Sequence, residues 1–161
     1  MPERPEPTLS DVPAGYEFSA DPARIDAARV HALLADHAYW AAGRSRAVQD
    51  AALAGSRNYG VYVRDTGEQV AYARIVTDGA TFAWLADVIV DPAHRGRRLG
   101  TAVVTGALAD VEPLGLKRVL LKASDDGRVV YERLGFEPLD DPAPWMLRLA
   151  PSPLARTESS F

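Results

Sequence analysis

The sequence predicts an α+β fold of three layers: a mixed, largely antiparallel central sheet, with a parallel strand pair in its middle and helices on its flanks. Three observations carry that class. Two β-rich runs, Asn58–Arg64 and Gln69–Val76, are separated by Asp65-Thr66-Gly67-Glu68, a hairpin signal. Downstream, the nearly all-apolar run Thr81–Val90 is followed by a glycine-containing loop, a helical stretch and a second apolar run at Arg118–Lys122. Strand, loop, helix and strand form a right-handed crossover, which joins parallel neighbours. Before both, the chain shows the helical period rather than the strand period.

Taken in order, Tyr16–Ser19 reads as a short opening strand, and Asp21-Pro22 supplies an N-cap and a first-turn proline. The helix that follows shows its apolar face in Ile25, Ala28, Val30, Leu33 and Leu34 and runs to about Ala38. A second helix starts from the cap Ser45 and passes through Val48, Ala52 and Leu53 to Gly55. The hairpin then leads through the turn Thr77-Asp78-Gly79 into Thr81–Val90, apolar enough for a strand buried on both faces. After Asp91-Pro92 and the basic loop His94–Gly100, a helix is expected from Thr101 to about Val111 and a strand over Arg118–Lys122. A short helix over Arg128–Arg133 ends at Leu134-Gly135, and Phe136–Leu139 and Trp145–Leu149 read as closing strands.

The 161 residues suit about one domain, placed at 14–150 between a proline-rich arm at 1–13 and a similar tail at 151–161. The formal charge of −4 supplies no general field for a polyanion, so nucleic-acid binding is not expected. The absence of cysteine excludes disulfides, cysteine-based zinc sites and a thioacyl intermediate on the protein. No run approaches the roughly 20 apolar residues that span a bilayer, and the first residues lack a signal-peptide core. A cytoplasmic protein without membrane attachment is therefore expected.

The segment from Val88 to Ala102 is the most informative. It places successive backbone N–H groups, Gly96, Gly100 and the arginines Arg95, Arg97 and Arg98 where a buried strand turns into a helix. A helix N-terminus offers unpaired donors and a positive dipole end, glycines admit close approach, and arginines add charge-assisted hydrogen bonds, so a pyrophosphate fits. A Walker loop would need Gly-Lys-Ser/Thr, and a dinucleotide fingerprint a third glycine; neither is present. The remaining alternative is a solvated basic turn.

The run Arg95-Gly96-Arg97-Arg98-Leu99-Gly100-Thr101-Ala102 resembles the acyl-CoA signature of the GNAT superfamily of N-acyltransferases, Arg/Gln-x-x-Gly-x-Gly/Ala. Arg95 and Gly100 match, and Arg98 stands where a glycine is usual. Tyr131-Glu132-Arg133-Leu134-Gly135-Phe136 resembles that family's Tyr-x-x-Leu-Gly-Phe, and Ser124 stands where an asparagine is often found. The resemblance covers roughly Gly15 to Leu149. It implies acetyl-CoA as co-substrate, no metal, and direct acetyl transfer to a primary amine through a ternary complex.

It further implies that the central strand and its parallel neighbour splay, with the strand end Val88-Ile89-Val90 hydrogen-bonding the pantetheine arm and the Val88 N–H facing the thioester oxygen. The loop from Arg95 through Gly96, Arg97, Arg98, Leu99, Gly100 and Thr101 to Ala102 would hold the pyrophosphate, with Ser124 nearby. Tyr131 matches the usual general acid; its other reading is a packing tyrosine. Asp87, the one acid inside Phe82–Val90, is a candidate base or amine ligand, or else a structural hydrogen-bond acceptor. Strand alternation sets it opposite Val88 unless a bulge intervenes, and Trp84 marks another position where such a base can occur. His37, Tyr39 and Trp40 would cover the acceptor, His94 would neighbour the phosphates, and Arg74 would meet a substrate carboxylate or pair with Asp87. A small-molecule amine is the expected acceptor. A peptide amine drawn into an acidic cleft, or a CoA-binding module without turnover, are the alternatives. Pairing of two copies through an edge strand or the C-terminal strands would suit so small a sheet.

Overall fold

The structure is a computed structural model that describes residues 12–151. The proline-rich arm and the tail proposed at 1–13 and 151–161 therefore lie almost wholly outside the described residues. Five strands form one sheet in chain order: β1 Tyr16–Ser19, β2 Arg57–Val63, β3 Gln69–Thr77, β4 Phe82–Val90 and β5 Arg118–Leu120. The first three junctions are antiparallel and β4 pairs β5 in parallel, as the crossover requires. Helices α1 Ala27–His37 and α2 Arg46–Ala54 precede the hairpin, α3 Leu99–Val111 makes the crossover, and α4 is the short Arg128–Arg133.

The sheet separates two apolar cores. On one face Val61, Ala71, Ala73, Ile75, Ala83 and Leu85 pack against Val103, Val104 and Ala107 of α3. On the other, Tyr72 and Ile89 meet Val30, Leu33 and Leu34 of α1. Both sheet faces are thus covered, which accounts for the continuous apolar character of β4. Two bulges shift the register. Val61 pairs Ala71 while Tyr62 pairs Gln69, and Tyr72 pairs Ile89 while Arg74 pairs Ala86. At the second, Asp87 and Val88 together oppose Ala73, and Asp87 adopts φ 54°. Aspartate is one of the few side chains that tolerate this left-handed geometry. The extra residue changes which side chains face which core: Val88 and Val90 join the α3 side, Ile89 and Asp87 the α1 side.

Several boundaries differ from expectation. Asp21 caps only a 3-10 turn over Pro22–Arg24, whereas α1 is capped by Asp26, whose Oδ1 accepts from the Arg29 N–H at 3.1 Å. The backbone N–H of Asp26 itself donates to Gln69 Oε1 at 2.9 Å, so a buried glutamine of β3 fixes where the helix begins. β5 stops at Leu120 rather than Lys122, and α3 starts two residues earlier than expected, at Leu99. Neither Phe136–Leu139 nor Trp145–Leu149 is a strand. Pro138 removes a ladder donor inside the first run, and Pro142 and Pro144 lead into a turn in which the Trp145 N–H donates to the Pro142 carbonyl at 3.0 Å. Leu139, Trp145, Met146, Leu147 and Leu149 are consequently exposed, Met146 at 94%.

Helix α3 reaches the sheet closely at Gly106, where a Cβ would lie 2.3 Å from the Phe18 ring. That ring stacks on Tyr59 at 6.1 Å, and the Tyr59 hydroxyl donates to Asp110 of α3 at 2.7 Å. Alanine normally improves a helix by about 1 kcal/mol over glycine. Here Gly106→Ala is expected to destabilise the fold by about 1–3 kcal/mol through overpacking, read as a lower urea midpoint.

Candidate active site

The register break between β4 and β5 creates the site. Their pairing runs only through Phe82–Arg118, Ala83–Val119 and Trp84–Leu120, while β4 continues to Val90. Beyond Trp84 the two chains part, leaving a cavity of about 150 Å³. Leu85, Asp87 and Val88 line one wall, Leu121, Lys122, Ser124 and Tyr131 the other, and Tyr39 and Trp40 close it from the α1 side. Gly100, in the first turn of α3, forms another part of the lining.

At the end of β4 the chain forms the basic loop. Asp91 Oδ1 accepts from the Ala93 N–H at 2.9 Å and starts a 3-10 turn over Pro92–His94. Gly96 has φ 77°, and Arg98, at φ 63°, is left-handed where a glycine would be unstrained. Arg98 stands at the N-cap of α3 and no side chain caps that helix, so the first-turn amides have no side-chain acceptor. Arg95, Arg97 and Arg98 are exposed around these donors. Two contacts hold the loop from outside it. Arg97 Nη1 donates to the Tyr16 hydroxyl at 2.7 Å, and that hydroxyl lies 2.8 Å from His94 Nδ1. Arg29 of α1 pairs with Asp91 and lies 3.1 Å from Glu68.

The acceptor side is built around Asp87, whose side chain is 1% exposed. Arg44 Nη1 and Arg74 Nε each donate to its Oδ2 at 2.7 Å, and Trp40 Nε1 donates to Oδ1 at 3.1 Å. Burial pushes this carboxyl up, but the hydrogen bond from Arg44 and the charge of Arg74 outweigh it and hold it below the ordinary carboxylate range. Arg44 is placed by His31, whose Nε2 is 2.9 Å from the Arg44 carbonyl oxygen, and by Gln49, whose Oε1 accepts from Nη1 at 2.9 Å.

On the opposite wall, Ser124 supplies the turn into α4. Its Oγ accepts from the Gly127 N–H at 3.1 Å and its carbonyl from the Arg128 N–H at 3.0 Å. One turn later Tyr131 packs edge-on against Phe136, and burial alone pushes its phenol up to about 12. A Cβ at Gly127 would come within 3.1 Å of the Tyr131 ring, so this glycine lets the ring lie against the turn.

Residues 26–136 match the model of the Acetyltransferase (GNAT) family. The chain belongs to that family. A protein of Gibberella zeae, FG08082, named as a candidate acetyltransferase, is 31% identical over 143 residues, covering 76% of this chain and 79% of that one. The crystal structure of a GNAT protein from Xanthomonas campestris pv. campestris, also named as a candidate acetyltransferase, superposes with a TM-score of 0.77 at 36% identity, covering 84% of this chain and 94% of that one. Rv2747 of Mycobacterium tuberculosis, solved in complex with CoA, shares the fold at 20% identity, with a TM-score of 0.64 over 76% of this chain and 72% of that one. This chain is accordingly an acetyltransferase of the GNAT type, built on a fold that takes acyl-CoA.

Within this GNAT fold seven of the residues singled out in the sequence, Val88, Gly100, Ser124, Tyr131, Asp87, Tyr39 and Trp40, line the cavity, while Arg95–Ala102 apart from Gly100, and Ile89 and Val90, lie outside its lining. His37 lies outside it too; it is an exposed residue at the last position of α1. Arg74 takes the second of the roles considered for it and pairs with Asp87. Asp87 accepts from Trp40, Arg44 and Arg74, the arrangement of the structural hydrogen-bond acceptor considered beside the base. Among the described residues, Arg44, Tyr16 and Lys122 are parts of the site that the sequence did not reveal. A buried acid signals that a cation must meet it, but Arg44 sits in a loop where no periodicity says which way a side chain faces.

Asp87→Asn would leave two largely buried guanidiniums sharing no anion, and a loss of about 3–5 kcal/mol in unfolding free energy is expected. Since the folded carboxyl titrates below the unfolded one, its stabilisation is in place above about pH 4 and disappears as pH falls through the lower, folded value. Thermal melts against pH should therefore show a steeper acid limb in the wild type than in the variant.

Proposed function

We propose that the protein transfers the acetyl group of acetyl-CoA directly to a primary amine on a small molecule, in a ternary complex, in the cytoplasm. The observation that carries this reading is the parting of β4 from β5, with Val88 on one side of the gap and Tyr131 on the other. The aromatic pair Tyr39 and Trp40 on the α1 side of the cavity suits a small acceptor. Among the described residues no helix is long and apolar enough to cross a membrane.

The residues present fit an acyl-CoA. The uncapped N-terminus of α3, with Gly96 left-handed beside it and Arg95, Arg97 and Arg98 around it, is suited to a pyrophosphate. Beyond Trp84 the edge of β4 that faces β5 has no strand partner among the described residues, so the backbone of Val88, Ile89 and Val90 can receive an amide-bearing arm. Acetyl-CoA, when bound, supplies an acyl thioester for attack by the amine. The Val88 N–H donates to the oxygen on which negative charge grows, where one such donor is worth about 10²–10³ in rate.

Tyr131 lies across the gap with its phenol protonated throughout the neutral range. Because burial makes its conjugate base far stronger than a thiolate of pKa about 8.5, the phenol acts by donating a hydrogen bond to the departing sulfur rather than by surrendering its proton outright. Asp87, through Trp40 and Arg44, fixes the roof over the amine; the amine's own proton leaves to water at the cavity mouth.

Release of free thiol from acetyl-CoA against an amine panel, with mass detection of the acetylated product, tests the reading; CoA binding without release by any amine would overturn it. Tyr131→Phe is expected to lower kcat by about 10²-fold while KM for acetyl-CoA moves less than about threefold. Unaltered turnover would return Tyr131 to a packing role.

A further inference from the structure

The acceptor side of the cavity carries more positive than negative charge. Asp87 is the one carboxylate among the described lining residues. It is shared by Arg44 and Arg74, whose side chains are 16% and 17% exposed, and neither guanidinium pairs with a second carboxylate among the described residues. Lys122, on the facing wall, is exposed and makes no ion pair among the described residues. Lys122 is thus the one cation in the described lining, across the cavity from Asp87, and the Arg44 and Arg74 guanidiniums stand behind that carboxylate with a net positive charge.

Hydrogen-bond donors are in surplus too. Arg74 uses Nε on Asp87 and Nη1 on Ser56 Oγ, at 3.2 Å, which leaves its Nη2 without an acceptor among the described residues. A partly desolvated excess of positive charge and donors is costly alone and is relieved by an anion with free lone pairs.

We infer that the acceptor carries an anionic group, a carboxylate or a phosphate, on the same small molecule as its amine, and that Lys122 is the specificity residue that meets it. The net positive charge of the Arg44–Asp87–Arg74 cluster adds to that of Lys122 and disfavours acceptors whose second group is also cationic. This inference rests on the acetyl-transfer reading above.

Matched amines separate the two. Tyramine against tyrosine, and ethanolamine against phosphoethanolamine, differ chiefly in the anionic group. The anionic member of at least one pair is expected to show kcat/KM at least about tenfold higher. That ratio should fall about tenfold in Lys122→Gln and further in Lys122→Glu, without a matching rise in KM for acetyl-CoA. Less than a tenfold preference for the anionic member in both pairs, or an unchanged ratio in both variants, would overturn the inference, as would a rise in KM for acetyl-CoA alone. Turnover confined to amines without an anionic group leaves acetyl transfer standing and removes only this inference. If no amine turns over, calorimetry on the CoA-saturated protein decides: tighter binding of the anionic member, weakened in Lys122→Gln, supports it, and equal binding of both members overturns it.

Discussion

A buried carboxylate has to be neutralised where it lies, and in this protein that requirement organises the acceptor half of the molecule. The bulge at Asp87 turns the side chain out of strand alternation and into the α1 face. Once there, it needs partners from every direction: Arg74 from β3, Arg44 from the loop between the first two helices, and Trp40 from the turn after α1. Two segments far apart in sequence, β3 and the connection between α1 and α2, are thereby pinned to one carboxylate. The roof of the cavity is not simply a helix end lying on a sheet; it is tied to the strand that forms the floor. The same bulge puts Val88 on the other face, so a single inserted residue sets both the buried polar cluster and the strand edge proposed to meet the thioester.

The cofactor half answers a different constraint. A loop meant to hold phosphate must leave its own amides unpaired, and so cannot stabilise itself with them. Its shape is borrowed from neighbours: Tyr16 on β1 fixes Arg97 and His94, and Arg29 on α1 fixes Asp91. Arg98 keeps a left-handed conformation in place of a glycine, and the resulting strain is borne by the helix and strand on either side. Both ends of β4 are thus held by side chains that come from the N-terminal half of the chain.

How far this was legible in the sequence depended on how local each signal was. The hairpin at Asp65–Glu68, the crossover through α3 and the phosphate loop are written in contiguous residues, and each stands where the pattern placed it. The Tyr131 segment was equally local. The start of α1 was not: Asp21-Pro22 has the stronger capping pattern, but Gln69 of β3 takes the Asp26 amide and moves the helix start. Trp145–Leu149 has the composition of a strand, yet the prolines before it direct the chain into a turn. The partners of Asp87 were half legible: Arg74 was one of its expected partners, although only the bulge brings the two to one sheet face, whereas Arg44 sits in a loop with no period to read.

The brevity of the β4–β5 junction also has a dynamic meaning. Three residue pairs hold the two halves of the sheet together there, against long antiparallel ladders between β2, β3 and β4. Thermal opening of a domain begins at the joint with the fewest backbone bonds to break. Here that joint is also the hinge line of the cleft, so a brief separation swings the wall bearing Tyr131 away while the antiparallel part of the sheet stays folded. The gap that the fold leaves open thus lies beside the least tightly bonded junction of β4.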